Sequence, residues 1–139
     1  MRPTAFVSAP YSAAFGRDIG SNILVAQRCA IWLWDHCYYV LCPHLNTQHF
    51  EVLTTQPYNT FMQFCLHTIR SGLIDVIVMT GAWQTSSGAL QELKLAHTLA
   101  IPVCEFQLYW QPPELRQLSN EVITECLNAS ALPTGSRLI

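Results

Sequence analysis

Charge is scarce in this chain. Asp, Glu, Lys and Arg make up only 12% of its 139 residues, and the formal net charge is −2. Lys94 is the single lysine. So few basic residues leave no electrostatic footprint for nucleic acid or for an anionic membrane surface. No apolar run reaches the length of a membrane span. The opening MRPTAFVSAPYSAAF is too short and too broken by proline to read as a secretory signal. A CxxC pair is also missing: Cys29, Cys37, Cys42, Cys65, Cys104 and Cys126 stand apart inside apolar segments. This reads as buried thiols in a reducing, cytoplasmic setting, with no disulfides. His36, Cys37, Cys42, His44 and His49 form a loose cluster, but their spacings match no zinc module, so no metal is expected.

What is abundant is apolar surface. Half of the residues are hydrophobic, with four Trp and five Tyr. The length suits one domain with a sizeable core, and the aromatics suggest that some apolar surface serves self-association. Residues 1–129 read as that domain, and 130–139 as a poorly ordered tail. Thr4–Ala9 is a strand ended by Pro10, followed by a loop over Ser12–Ser21. Asn22–Asp35 has helical spacing, with Asp18, Ser21 and Asn22 as candidate caps. Tyr38–Cys42 is the second strand. Thr47–Pro57 reads as a short helix and a loop. Tyr58–Arg70 is a helix with Phe61, Phe64, Cys65, Thr68 and Ile69 facing the core, closed by Gly72. Glu114–Asn128 is the last amphipathic helix, after the Pro112-Pro113 break.

The stretch Asp75–Val103 organises the rest. Ile74–Met79 is short, apolar and rich in β-branched residues, as in a strand covered on both faces. Thr85-Ser86-Ser87-Gly88 supplies hydroxyls and a glycine where a helix begins. Ala89, Leu93, Ala96 and Ala100 recur at helical spacing until Ile101-Pro102, and Val103–Phe106 is the next strand. The alternation predicts an α/β fold. It is a single three-layer domain with a short parallel sheet of four to five strands flanked by helices, flavodoxin-like or Rossmann-like. Loops after the first three strands then converge on one edge, bringing Tyr11, His44, Trp83, Ser86 and Glu92 together. Asp75 starts its strand roughly 17 Å from that edge at strand rise, which leaves it a capping role.

Glu92 lies one turn inside its helix. Helical side chains lean toward the N-terminus, so its carboxylate hangs over the Gly88 turn. The helix terminus favours the ionised form, and the free N–H groups near Ser86–Ala89 can hold an anion. A solvated surface glutamate is the other reading of the same spacing. Ser86 and Ser87 likewise read either as phosphate ligands or as helix caps. Trp83 can stack on a base or cover the sheet edge.

Ala-Pro-Tyr-Ser at 9–12, Pro-His at 43–44 and the run from Asp75 to Val103, with Gly-Ala-Trp, Ser-Ser-Gly-Ala and Gln-Glu, resemble the nucleoside 2-deoxyribosyltransferase-like superfamily. The chain looks closest to that group's small, partly phage-encoded members of unknown function. The resemblance covers residues 4–106 and is most specific over 80–103. It implies that Glu92 is a nucleophile that attacks the anomeric carbon and expels a base, as in retaining glycosidases. Ser86, six residues earlier, matches a serine that binds phosphate in nucleoside 5′-monophosphate N-glycosidases; the base-exchanging transferases carry an Asp there. Tyr11 resembles a tyrosine that contacts the nucleophile or the base. Ser12, His44, Trp83, Ser87 and Gly88 join Ser86 as substrate-binding candidates. His67 stands where the family often has an Asp that helps protonate the leaving group or binds the sugar; an imidazole can donate a proton, and His44 and Asp18 are the other candidates for that acid. The implied activity is N-glycosidase action on a (deoxy)nucleoside 5′-monophosphate. The alternatives are deoxyribosyl transfer between bases and nucleotide binding without chemistry. The resemblance implies no cofactor, and a homodimer or higher homo-oligomer.

Overall fold

The computed structural model describes residues 1–12 and 18–130. The expected tail, from residue 131 onward, and residues 13–17 of the loop after the first strand lie outside these. Five strands form one sheet: β1 (Thr4–Ser8), β2 (Tyr39–Leu41), β3 (Val76–Thr80), β4 (Val103–Phe106) and β5 (Arg116–Gln117). Their order is β2-β1-β3-β4-β5, parallel throughout except that β5 runs antiparallel to β4. The helices are α1 (Ile19–Asp35), α2 (Pro43–Asn46), α3 (Tyr58–Arg70), α4 (Ser87–Thr98) and α5 (Asn120–Ser130), with 3-10 turns at Phe50–Val52 and Trp83–Thr85. This is the α/β architecture that the alternating pattern predicts.

Each sheet face has its own core. Ala26, Cys29, Ala30 and Leu33 of α1 pack against Ala5, Val7, Val76 and Val78 on one face. Ile69 of α3, Leu93 and Ala96 of α4 and Ile123 of α5 pack against Phe6, Ile77 and Met79 on the other. The alternation along β1 follows from the two-residue strand period. It also puts Ser8 on the same face as Phe6, toward α4. Every residue of β3 is buried, as a central parallel strand requires.

Local chemistry fixes the boundaries. The Asp18 carboxylate caps α1 by accepting from the Ser21 N–H at 2.6 Å. Gly72, at φ +85°, provides the left-handed residue after α3. Asp75 accepts from the Thr4 N–H at 2.8 Å, tying the starts of β3 and β1 together at the end of the sheet away from the Glu92 turn. Two expectations need correction. Phe64 is 45% exposed, on the outer side of α3. The last helix starts at Asn120, not Glu114, because Arg116 and Gln117 pair with Glu105 and Cys104 at the sheet edge. Ser119 then caps the helix by accepting from the Val122 N–H at 3.2 Å.

Candidate active site

A cavity of about 140 Å³ opens at the carboxyl edge of the sheet, between the end of β1, the first turn of α4, α3 and the segment after α2. Four residues of α3 line it, Tyr58, Phe61, Met62 and Cys65. They form a single helical stripe at i, i+3, i+4 and i+7. Val7, Ala9 and Tyr11 come from β1 and its loop; Ser86, Gly88, Ala89 and Glu92 come from α4 and its cap. Pro43, His44, Thr47, Glu51 and Gln56 close the remaining side.

Glu92 sits at the bottom, 7% exposed. Its Oε1 accepts from the Ser8 hydroxyl at 2.5 Å, and the Cys65 thiol also donates to the carboxylate. Burial raises its pKa to about 7, against the lowering effect of these two bonds. The helix terminus favours the ionised form, but withdrawal of the carboxylate from water outweighs it. The solvated-surface reading of Glu92 therefore falls. Cys65 is itself pushed up to about 12, by burial first and then by the charge of Glu92, so it stays a neutral donor. The Tyr58 hydroxyl is raised for the same two reasons.

The α4 turn shows why its sequence is Ser-Ser-Gly. The Ser86 hydroxyl accepts from the Ala89 N–H at 3.1 Å and caps the helix while still lining the cavity. A Cβ at Gly88 would come within 2.7 Å of the Tyr58 hydroxyl and 3.3 Å of the Met62 sulfur. Glycine thus lets α3 approach the first turn of α4.

On the outer side, Tyr11 acts as a bracket. Its hydroxyl donates to Glu51 Oε1 at 2.6 Å and accepts from the His49 N–H at 2.7 Å. Its carbonyl and that of Ser12 each accept from the buried Asn22 amide at 3.1 Å. Its ring meets the His44 imidazole edge-on at 5.3 Å. His44 is anchored to the Pro10 carbonyl at 2.8 Å through Nε2, and burial lowers its pKa, so it stands as a neutral imidazole.

Tyr11, His44, Ser86, Gly88 and Glu92 are thus brought together. Tyr11, however, bonds Glu51 rather than the proposed nucleophile. Four other candidates lie elsewhere. His67 is on the exposed side of α3, two residues and so about 200° around the helix from Cys65. Trp83 is wholly buried, its indole N–H donating to Glu105 at 3.2 Å, and no face is open to a base. Ser87 and Ser12 are exposed and do not line the cavity. Ser8, Glu51, Tyr58 and Cys65 were not selected from sequence as site residues. The stripe on α3 and the period of β1 carry a signal for three of them; Glu51 has none. Among the described residues, no group of three His, Cys, Asp or Glu side chains is arranged to hold a metal ion, and no helix is long and apolar enough to cross a membrane.

The molecule is an α/β domain with a buried carboxyl group at the carboxyl edge of its sheet. The family described as Domain of unknown function (DUF4406) matches residues 30–105, more than half of the chain, and the chain belongs to that family. No curated protein matches it.

Proposed function

We propose that the protein is an N-glycosidase that cleaves a nucleoside 5′-monophosphate through a glycosyl ester on Glu92. The observation that carries this reading is the position of Glu92: a buried carboxyl inside a cavity that the first turn of a 12-residue helix also lines. The cavity is smaller than the roughly 300–1,000 Å³ usual for drug-sized ligands. That suits a sugar ring at the bottom, with base and phosphate toward the opening. The α4 terminus and Ser86 favour the phosphate there.

In the first step an oxygen of Glu92 bonds to the anomeric carbon. The bond to the base breaks, and its electron pair leaves on the base nitrogen. In the second step water attacks the anomeric carbon and releases the Glu92 carboxylate. Ser8 and Cys65 orient the carboxylate. Only the ionised form is a nucleophile, so departure of a leaving group that needs no proton rises with pH through about 7. Base exchange differs only in the acceptor: a second base takes the place of water.

The test is chromatographic detection of free base from a panel of ribo- and deoxynucleosides and their 5′-monophosphates. Wild type should release base, and Glu92→Gln should lose roughly 10⁴-fold or more in kcat while keeping its fold. Full activity in Glu92→Gln removes the nucleophile assignment. A second reading, nucleotide binding without chemistry, is favoured by the exposed position of His67, which leaves the family's acid position off the cavity. It expects a nucleotide-dependent rise in melting temperature and no base released over hours. A cytoplasmic homodimer rests on composition and resemblance; light scattering that finds only monomer removes the dimer.

A further inference from the structure

A carboxylate nucleophile on a glycosidic bond needs a partner that protonates the departing base and then deprotonates the incoming water. Neither histidine considered from sequence can serve. His67 faces away from the cavity, and His44 is buried against the Pro10 carbonyl. Glu51 is the other carboxyl that lines the cavity among the described residues. It reaches the site from the segment after α2, so it stands on a different wall from Glu92.

Its placement is built. The Tyr11 hydroxyl holds Oε1 at 2.6 Å, and the His49 N–H holds that hydroxyl at 2.7 Å. His49 takes a left-handed backbone, φ 63°, at the entry to the Phe50–Val52 turn, a conformation that L-residues adopt only when something holds it. His44 packs against the Tyr11 ring, and Asn22 fixes the Tyr11 carbonyl. A chain of bonds thus runs from the sheet edge and α1 to one oxygen of Glu51. Among the described residues nothing donates to the other oxygen, and His49 Nδ1 stands 3.9 Å from it.

We propose that Glu51 is the acid and base of the reaction, acting through Oε2 on the base and then on water while Tyr11 holds Oε1. This rests on the glycosidase reading. In the first step the Glu51 carboxyl proton passes to the base nitrogen as Glu92 bonds to the anomeric carbon. The neutral base leaves, and Glu51 becomes a carboxylate. In the second step that carboxylate takes a proton from water, the hydroxyl oxygen bonds to the anomeric carbon, and Glu92 departs as a carboxylate. One water is consumed, and both glutamates return to their starting states.

The test compares two leaving groups in the full chain. Base release from the best nucleoside 5′-monophosphate is measured alongside nitrophenolate release from the corresponding 4-nitrophenyl glycoside 5-phosphate, which departs without protonation. Glu51→Gln should lower base release by about 10²- to 10⁴-fold. With the nitrophenyl substrate it should still give a burst of one nitrophenolate per site, followed by slow turnover. Glu51→Ala should behave alike, and azide should restore its turnover with a glycosyl azide as product. Glu92→Gln should lose both reactions with no rescue. Three results overturn the assignment: undiminished base release in Glu51→Gln, equal loss on both substrates, or no azide product. Wild type inert toward every substrate overturns the glycosidase reading and this assignment with it; an active wild type with indifferent Glu51 variants overturns this assignment alone.

Discussion

The two carboxyl groups of the cavity are held by opposite means. Glu92 is surrounded by the core: a strand hydroxyl, a helical thiol and apolar side chains shield it, and its pKa follows from burial. Glu51 is held at the surface by one tyrosine hydroxyl on an irregular segment, and its position follows from hydrogen bonds alone. The inner wall sets protonation; the outer wall sets geometry. Changes to the inner wall should therefore alter pH dependence and stability together, while changes to the outer wall should alter rate with little effect on stability.

The largest stability effect belongs to the inner wall. Glu92 titrates at about 7 when folded and at 4.5 when not. The folded state keeps a proton that the unfolded state has lost between these values, so stability falls as pH rises from 4.5 to 7. That difference is worth about 3 kcal/mol. Glu92→Gln removes it. Relative to wild type, the variant should gain about 3 kcal/mol in urea denaturation between pH 4 and pH 8. Parallel curves for the two proteins would mean that burial does not control this carboxyl.

Ser8→Ala should come next. It removes a buried hydroxyl that donates to Glu92 at 2.5 Å and favours the ionised form, so the rising limb of the pH–rate profile should move to higher pH. The loss in stability should be about 2 kcal/mol at pH 8, where the acceptor is charged, and nearer 1 kcal/mol at pH 5. A loss independent of pH would show that Ser8 matters for packing only.

The inner wall was also the more legible in the sequence. The Tyr58–Arg70 helix has the boundaries that its periodicity and Gly72 predict, and the backward lean of helical side chains puts Glu92 over the Gly88 turn. Its raised pKa was not legible, because desolvation depends on α3 and β1 lying over it, residues distant in sequence. The His67 assignment followed the family resemblance, whereas the helix period points to Cys65, two residues earlier. Glu51 lies in Thr47–Pro57, where the expected short helix is a 3-10 turn at Phe50–Val52 and no repeating apolar pattern marks the side that faces the cavity. β5, only two residues long, owes its existence to pairing with β4 rather than to any propensity of Arg116-Gln117.

Tyr11→Phe should have the smallest effect and separates the walls most directly. The substitution keeps the ring against His44 and removes only the hydroxyl that joins His49 to Glu51. Burial and the neighbouring Glu51 raise the tyrosine pKa, so the hydroxyl is a donor throughout the pH range of the assay, and its loss should be felt equally at every pH. One partly exposed hydrogen bond is worth about 1 kcal/mol, or roughly fivefold in rate if it only positions Glu51. Stability should change by less than about 1 kcal/mol, and the limb near pH 7 set by Glu92 should stay where it is. If Tyr11→Phe instead loses as much activity as Glu92→Gln, the hydroxyl acts on the reacting atoms, and the division between the walls fails. If it shifts the limb, the Tyr11 hydroxyl acts on the charge of Glu92 across the cavity.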